Sequence, residues 1–209
     1  MGVAGVFFGV LVGWILGSQQ GGGRIPPPAA AAPAATSATA DPGAQAPPPL
    51  DESRAAAMTT SAQQNPTDAV TRVQLGNMYF DAGRFQDAAK WYEAALTIHP
   101  KDVNASTDLG ITYYYMNQPD RALTQFDRSL AVDPSHAKTL LNVGIVRAFA
   151  KQDLKGAAEV WQKVLVVAPS GEEARAARQA LDGLRSAHPD LGIPAASDQG
   201  RGAPKGQGS

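Results

Sequence analysis

The chain has 209 residues, a formal net charge of −1 at pH 7 and no cysteine. Acidic and basic residues are mixed along it, so no basic stripe indicates recognition of nucleic acid. The absence of cysteine excludes disulfides, cysteine nucleophiles and thiolate metal sites, and it fits either redox compartment.

An apolar segment opens the chain. The run from Val3 to Gly17 contains no charged side chain, and residues 1–18 as a helix would reach about 27 Å, close to the roughly 30 Å hydrocarbon core of a bilayer. A cleavable signal peptide has a basic n-region and an A-x-A cleavage site, and neither is present here. We therefore predict that residues 1–20 form a single, uncleaved transmembrane anchor.

Glycines recur at every fourth residue of this segment, at Gly5, Gly9, Gly13 and Gly17. Small residues at that spacing lie on one helix face and let two membrane helices approach closely. The stripe predicts helix packing, either in a homodimer or against a larger membrane protein. The alternative is that glycine is simply common in membrane helices.

Residues 21–49 have the composition of a linker. Eight prolines and ten alanines lie between Ile25 and Pro49. Such a segment favours extended polyproline II and has too little hydrophobic surface for a core. Residues 190–209 are rich in glycine and polar residues, and we predict that both segments are disordered.

A 34-residue period runs through the centre of the chain. The groups Leu75-Gly76-x-x-Tyr79 and Leu109-Gly110-x-x-Tyr113 are 34 residues apart, and Gly144 follows after 34 more. Three further series repeat at 34 or 35 residues: Ala88, Ala122 and Ala157; Tyr92, Phe126 and Trp161; Pro100, Pro134 and Pro169. This period is typical of stacked helix pairs, and the residues resemble those of the tetratricopeptide repeat family.

The resemblance implies an all-α solenoid of three helix-pair repeats, at about 69–102, 103–136 and 137–170, within a domain spanning 50–189. A weak helix between residues 50 and 63 and an amphipathic helix at 171–187 are expected to cap the stack. The repeated glycine lets helices A and B approach closely, and proline ends each unit. Asp68 and Asp102 are predicted N-caps, and Ser170 with Glu173 is predicted to form a capping box.

The sequence departs from the family pattern in three places. Arg72 and Ser106 stand where the pattern has its first aromatic residue, and Arg147 stands where it has tyrosine. The third repeat also has one extra residue between its glycine and its alanine, which we place in the turn at 151–153.

In this family, helix A contributes a concave face that binds peptides. Carried over by position, the resemblance predicts a peptide-binding groove made of Val73, Gln74, Asn77, Phe80, Thr107, Asp108, Ile111, Tyr114, Tyr115, Lys138, Leu141, Asn142, Ile145 and Phe149. Its amides are expected to hydrogen-bond a peptide backbone, and its aromatic residues are expected to form side-chain pockets. The alternative is that aromatic residues at helical spacing belong to the core.

Some relatives clamp the C-terminal carboxylate of a chaperone tail with basic residues and asparagines. Of that pattern only Asn77 and Lys138 are matched here. Val73 stands in place of a lysine, Asp108 in place of an asparagine, and Asn142 in place of a further basic residue. Because Asp108 would repel a carboxylate, we predict that chaperone tails are not the ligand.

The order of segments resembles a narrower family as well. A short anchor, an Ala/Pro spacer, a Trp-containing helix around 157–161 and an Ala/Arg-rich helix around 174–181 are similar to the membrane-anchored tetratricopeptide subunit of bacterial cytochrome c biogenesis. In that family the repeats capture a C-terminal segment of an apocytochrome or a partner subunit. The resemblance implies a periplasmic domain on the cell inner membrane, whereas Arg24, the one basic residue near the anchor, favours a cytoplasmic domain.

No catalytic or metal site is predicted. His99, His136 and His188 lie at turns or at a helix end without a carboxylate at metal-site spacing, and no phosphate-loop or dinucleotide motif occurs. We expect a non-enzymatic protein without a cofactor. The leading interpretation is a membrane-tethered scaffold that binds a peptide segment of a client protein. The alternative is a structural assembly factor of an envelope complex that acts through its anchor and its convex faces.

Overall fold

Eight α-helices follow one another, with no β-strand, in residues 47–194, the part of the chain that the computed structural model describes. They are α1 (Glu52–Gln64), α2 (Ala69–Asp81), α3 (Phe85–Ile98), α4 (Val103–Tyr115), α5 (Pro119–Val132), α6 (Ala137–Phe149), α7 (Leu154–Val167) and α8 (Glu172–Ala187), and a 3₁₀ turn (Pro189–Leu191) follows. The prediction of an all-α helical solenoid is confirmed. Helices α2, α4 and α6 are the A helices, and α3, α5 and α7 are the B helices.

The predicted anchor, its glycine stripe and most of the linker and tail lie outside the described residues. Within residues 47–194, none of the helices has the length and apolar character needed to cross a membrane.

Each A helix packs its glycine against an aromatic ring of the following B helix. A Cβ atom on Gly76, Gly110 or Gly144 would come within 3.0 Å of ring atoms of Tyr92, Phe126 and Trp161, respectively. The three rings are buried, with at most 1% of their surface exposed. Because contact this close leaves no room for a side chain, the repeated glycine determines how near the two helices lie. The predicted role of these glycines is confirmed.

Acidic side chains begin two of the A helices. Asp68 accepts a hydrogen bond from the Thr71 amide and Asp102 accepts one from the Ala105 amide, each at 3.0 Å. Both predicted N-caps are confirmed. His136 precedes α6 at the corresponding position and makes no such bond to the helix backbone; its Nδ1 lies 2.7 Å from the Thr139 hydroxyl oxygen instead.

The predicted capping box at the start of α8 is wrong. Gly171 is the N-cap residue of α8, with φ of +100°, and no side chain caps the helix. That left-handed conformation suits glycine and leaves Ser170 one residue too far from the first turn. Glu172 and Glu173 still lie in the first turn, where carboxylates interact favourably with the helix dipole.

The turn between helices A and B contains one residue with a positive φ angle in all three repeats. Gly83, Asn117 and Gln152 adopt positive φ angles of 71°, 57° and 54°. Asparagine and glycine tolerate this region well, whereas glutamine is less common there. The third turn, residues 150–153, is one residue longer than the other two, as predicted for the extra residue of the third repeat.

The two departures from the aromatic pattern have structural roles. The guanidinium of Arg72 donates to the carbonyl oxygens of Ala62 at 2.9 Å and Asn65 at 3.1 Å, so it binds the carboxyl end of α1. The Ser106 hydroxyl accepts hydrogen bonds from Gln125 and Ser129, each at 2.7 Å, inside the second repeat. Polar side chains thus replace aromatic packing where their hydrogen bonds are satisfied.

Helix α8 closes the far end of the stack. Its predicted apolar face, Ala174, Ala177, Leu181 and Leu184, is buried to at least 99%. The last three of these residues belong to one core cluster with Trp161 of α7 and with residues of α6. A final helix of this kind covers apolar surface that the last repeat would otherwise expose.

The close approach of A and B helices leads to a stability prediction. Gly110→Ala should lower the free energy of unfolding by about 1–3 kcal/mol, because the new methyl group overlaps the buried Phe126 ring. Gly183→Ala in α8 is the matched control, since no atom lies within 4 Å of its Cβ position. That change should stabilise the protein by up to about 1 kcal/mol through helix propensity. Urea unfolding followed by circular dichroism measures both, and equal effects would contradict the packing role.

Candidate functional site

The A helices bring the predicted groove residues onto one side of the stack. Lys138 of α6 contacts Asp108 of α4, and the rings of Phe80 in α2 and Tyr115 in α4 are 5.3 Å apart, so the three helices lie side by side. Eight of the predicted residues keep exposed surface: Val73, Gln74, Asn77, Phe80, Asp108, Tyr114, Lys138 and Phe149. We call these eight residues, together with Asp81, the A-helix face.

The other six predicted residues are buried: Thr107, Ile111, Tyr115, Leu141, Asn142 and Ile145. Leu141 and Ile145 lie in the core cluster that α8 completes. The hydroxyl of Thr107 is 2.6 Å from that of Thr139, so it forms a hydrogen bond between the A helices α4 and α6. A ligand therefore has access to all four predicted residues of α2, but to only two of the five on α4 and two of the five on α6, where α8 completes the core around Leu141 and Ile145.

An ion pair occupies the centre of the A-helix face. The Lys138 ammonium lies 2.7 Å from the Asp108 carboxylate, and about a fifth of each side chain is exposed, 20% and 17%. Charged groups in such a half-buried setting attract one another more strongly than on the open surface. Lys138 is therefore already neutralised, and it is not a free cation for a ligand carboxylate.

The two amides predicted to bind a peptide are partly engaged within the protein. Asn77 accepts a hydrogen bond of 2.6 Å from the Tyr92 hydroxyl, which leaves its amide group as a donor. Asn142 is buried and donates to the Lys138 carbonyl oxygen at 2.8 Å. Of the two, Asn77 is the one with surface available to a ligand.

Asp81 is a functional candidate that the sequence reasoning missed. It is the last residue of α2 and half-buried, and its carboxylate makes no hydrogen bond or ion pair within residues 47–194. Burial, and secondarily the negative charge of Asp108, raises the pKa of the Asp81 carboxyl. The repeat period could have revealed Asp81 as a groove residue, because it lies 34 residues before Tyr115 and 68 before Phe149, both of which were predicted for the groove.

Aromatic rings border this carboxylate-bearing end of α2. Phe80 contacts Phe85 and Tyr115 with ring centroids 5.3 Å apart in both pairs, and Phe85 and Tyr115 are 5.0 Å apart. Tyr114 lies 6.0 Å from Tyr115. The Tyr115 hydroxyl is buried and has no hydrogen-bond partner within the described residues. Phe85 comes from a B helix, so counting positions on the A helices did not reveal it.

Comparison with known families agrees with this geometry. Models of the tetratricopeptide repeat match residues 67–135 and residues 107–173. Together the two matches extend over more than half of the chain. The chain belongs to the tetratricopeptide repeat family.

Several curated proteins are similar over the same region. Hsp70-Hsp90 organizing protein 3 of Arabidopsis thaliana is 28% identical over 121 residues, which are 58% of this chain and 20% of that protein. RNA polymerase II-associated protein 3 of Rattus norvegicus is 27% identical over 125 residues, 58% of this chain and 19% of that protein. The chain thus spans about a fifth of the length of these relatives.

Solved structures share the fold. The crystal structure of MamA has a TM-score of 0.59 and 18% identity, covering 71% of this chain and 82% of that one. The first tetratricopeptide domain of Spaghetti (RPAP3), bound to the HSP90 peptide SRMEEVD, has a TM-score of 0.52 and 23% identity, covering 61% and 96%. At these identities the likeness is one of fold.

The unpaired carboxylate of Asp81 leads to a second stability prediction. Asp81→Asn should raise the free energy of unfolding at pH 7 by roughly 0.5 kcal/mol, a small value because a half-exposed charge is screened by solvent. Since folding raises the pKa of Asp81, the ionised form destabilises the native state. The gain should therefore be complete above the folded pKa and shrink as the pH falls towards 3.8.

Chemical denaturation across a pH series measures this difference. Asp127→Asn, which changes an exposed carboxylate on α5, is the matched control and should have little effect. A loss of stability in Asp81→Asn at pH 7 would show that the carboxylate has a stabilising partner.

Proposed function

We propose that this protein is a scaffold that holds a peptide segment of a partner protein on the A-helix face. The proposal rests on one observation: three successive A helices place partly exposed aromatic rings and polar side chains next to one another. Solenoid repeats present such faces as extended concave surfaces, and partly exposed aromatic residues are frequent anchors for bound side chains.

The proposed action is binding without catalysis. Phe80, Tyr114 and Phe149 offer apolar contacts along the face, while Gln74 and the amide group of Asn77 offer hydrogen bonds to an extended backbone. Bound in this way, a client would be held at a raised local concentration beside whatever membrane protein lies near the scaffold.

Membrane tethering through residues 1–20 and a role in cytochrome c maturation are the finer parts of the proposal, and they rest on the sequence alone. A tether on a long Pro/Ala spacer suits capture of a client that emerges near the membrane. The competing proposal is an assembly factor that acts through its anchor and its convex faces. Its complex would survive changes on the A-helix face.

Site-specific photocrosslinking tests where the partner binds. A photoreactive phenylalanine analogue replaces Gln74 on the A-helix face or, as the matched control, Gln86 on α3; both glutamines are exposed. In the full-length protein in its native membrane, irradiation should produce partner adducts from position 74 and few from position 86, with mass spectrometry identifying the partner. Adducts from position 86 alone would support the assembly factor instead.

Chaperone-tail binding is a second candidate, favoured by the similarity to proteins named Hsp70-Hsp90 organizing proteins and to a domain bound to an HSP90 peptide. The Asp108–Lys138 ion pair opposes it, because the lysine is already neutralised and the aspartate repels carboxylates.

We therefore expect the peptide SRMEEVD to bind the unaltered protein weakly in fluorescence anisotropy. Asp108→Asn, which removes the repulsion and frees Lys138, should tighten its binding about tenfold, a change of about 1.4 kcal/mol. Lys138→Ala in the Asp108→Asn background should cancel the gain. Tight binding to the unaltered protein, with no effect of either change, would mean that the tail binds elsewhere.

A further inference from the structure

We infer that the segment bound on the A-helix face carries a basic side chain, with arginine favoured over lysine, that pairs with Asp81 beside the Phe80 aromatic cluster. The inference rests on the proposed function, because it names the chemistry of the ligand for the same face. It is independent of the identity of the partner.

The A-helix face has one more negative than positive side chain. This face contains two carboxylates, those of Asp81 and Asp108, and one ammonium group, that of Lys138. Lys138 pairs with Asp108 at 2.7 Å, whereas the Asp81 carboxylate has no hydrogen bond or ion pair within residues 47–194. One negative charge is therefore left on the face without compensation, at the end of α2.

The surroundings of Asp81 make this charge unusual. The side chain is half-buried, and the negative charge of the nearby Asp108 repels the Asp81 carboxylate. Partial burial of an unpaired ion is unfavourable, so proteins seldom retain one without a use for it. The unpaired charge of Asp81 lowers the stability of the free domain, and a bound cation would remove this destabilisation. Binding sites often reduce the stability of a protein in this way.

The aromatic rings beside Asp81 are the second argument. Phe80 directly precedes it and packs against Phe85 and Tyr115. The guanidinium of arginine is planar and weakly hydrated, so it stacks on aromatic rings while it pairs with a carboxylate. The ammonium of lysine does this less well because it is compact and strongly hydrated.

A third observation comes from the buried hydroxyl of Tyr115, which is 6% exposed as a residue and lacks a hydrogen-bond partner in the described part of the chain. Tyr115 and Asp81 occupy the same register position in successive repeats. A buried polar group without a partner lowers the stability of the folded protein. Within residues 47–194, Asp81 and the Tyr115 hydroxyl are thus two polar groups without partners at equivalent places on neighbouring A helices, and Asp81 is the one with surface for a hydrogen-bond donor of a ligand.

The same facts argue against an acidic ligand. A peptide rich in glutamate and aspartate would meet Asp81 uncompensated and Asp108 already paired. Like charges brought together at an interface repel one another and weaken binding. The occupant is therefore a segment of a partner protein with an Arg or Lys side chain next to apolar residues, held in an extended form along α2 and α4.

Binding of four synthetic peptide pools to the full-length protein tests the inference. All pools are acetylated, amidated heptapeptides with an equal mixture of Ala, Leu, Phe, Ser, Thr and Gln at six positions. The central residue is Arg, Lys, norleucine or Glu. We expect the Arg pool to bind about tenfold more tightly than the norleucine pool in fluorescence anisotropy, with Lys intermediate and Glu weakest.

Asp81→Asn should remove the advantage of the Arg pool while leaving the norleucine pool unaffected. Asp127→Asn, with its exposed carboxylate on α5, is the control and should change neither. Because Asp81→Asn is also expected to unfold at a higher denaturant concentration, a loss of binding in this variant would not be a consequence of misfolding.

The outcomes separate the inference from the proposed function. Equal binding of the Arg and norleucine pools, or tightest binding of the Glu pool, would overturn the basic ligand and leave peptide binding intact. Failure of every pool to bind would count against the proposed function itself. If a synthetic peptide of residues 195–209, which includes Arg201 and Lys205, displaces the Arg pool with comparable affinity in trans, the occupant is the protein's own chain, and the partner segment is overturned.

Discussion

The contact between the glycine of each A helix and the aromatic ring of its B helix determines the rest of the structure. Tyr92, Phe126 and Trp161 fill the space where a side chain of the A helix would otherwise stand, so the two helices of each pair lie close together. Similar pairs stack on one another, and the three A helices lie side by side. The A-helix face exists because this one contact is repeated three times.

The ends of the stack are stabilised differently from its middle. At the first end Arg72 binds the last carbonyl groups of α1, and Ala55 and Ala62 of α1 pack against Leu75 in a small apolar cluster. At the other end α8 contributes Leu181 and Leu184 to the core of the third repeat. This apolar cap completes the stack, and it also removes part of the third A helix from the surface. The A-helix face is consequently largest on α2, which contributes five of its nine residues, while α4 and α6 contribute two each.

The electrostatics of the A-helix face set this protein apart from what its relatives' names suggest. A carboxylate-clamping groove needs free cations, yet the one lysine on the face is held by Asp108. Within residues 47–194, the carboxylate of this face that has no partner is that of Asp81, which lies beside a group of aromatic rings. Fold and family are those of the scaffold that we propose, and in that proposal these few side chains select the charge of the bound peptide.

The sequence by itself determined the repeat, the helices and the extra residue of the third turn, because a 34-residue period and N-cap aspartates act locally and in register. It also indicated the glycine contacts and the buried face of α8. Only the tertiary structure decided which groove positions are accessible. Leu141 and Ile145 have the register of groove residues and are nevertheless buried in the core that α8 completes. Asp81 is a candidate for ligand binding because Lys138 forms its ion pair with Asp108 and leaves the Asp81 carboxylate without a partner within residues 47–194. Burial and charge pairing depend on neighbours distant in sequence, which no local pattern specifies.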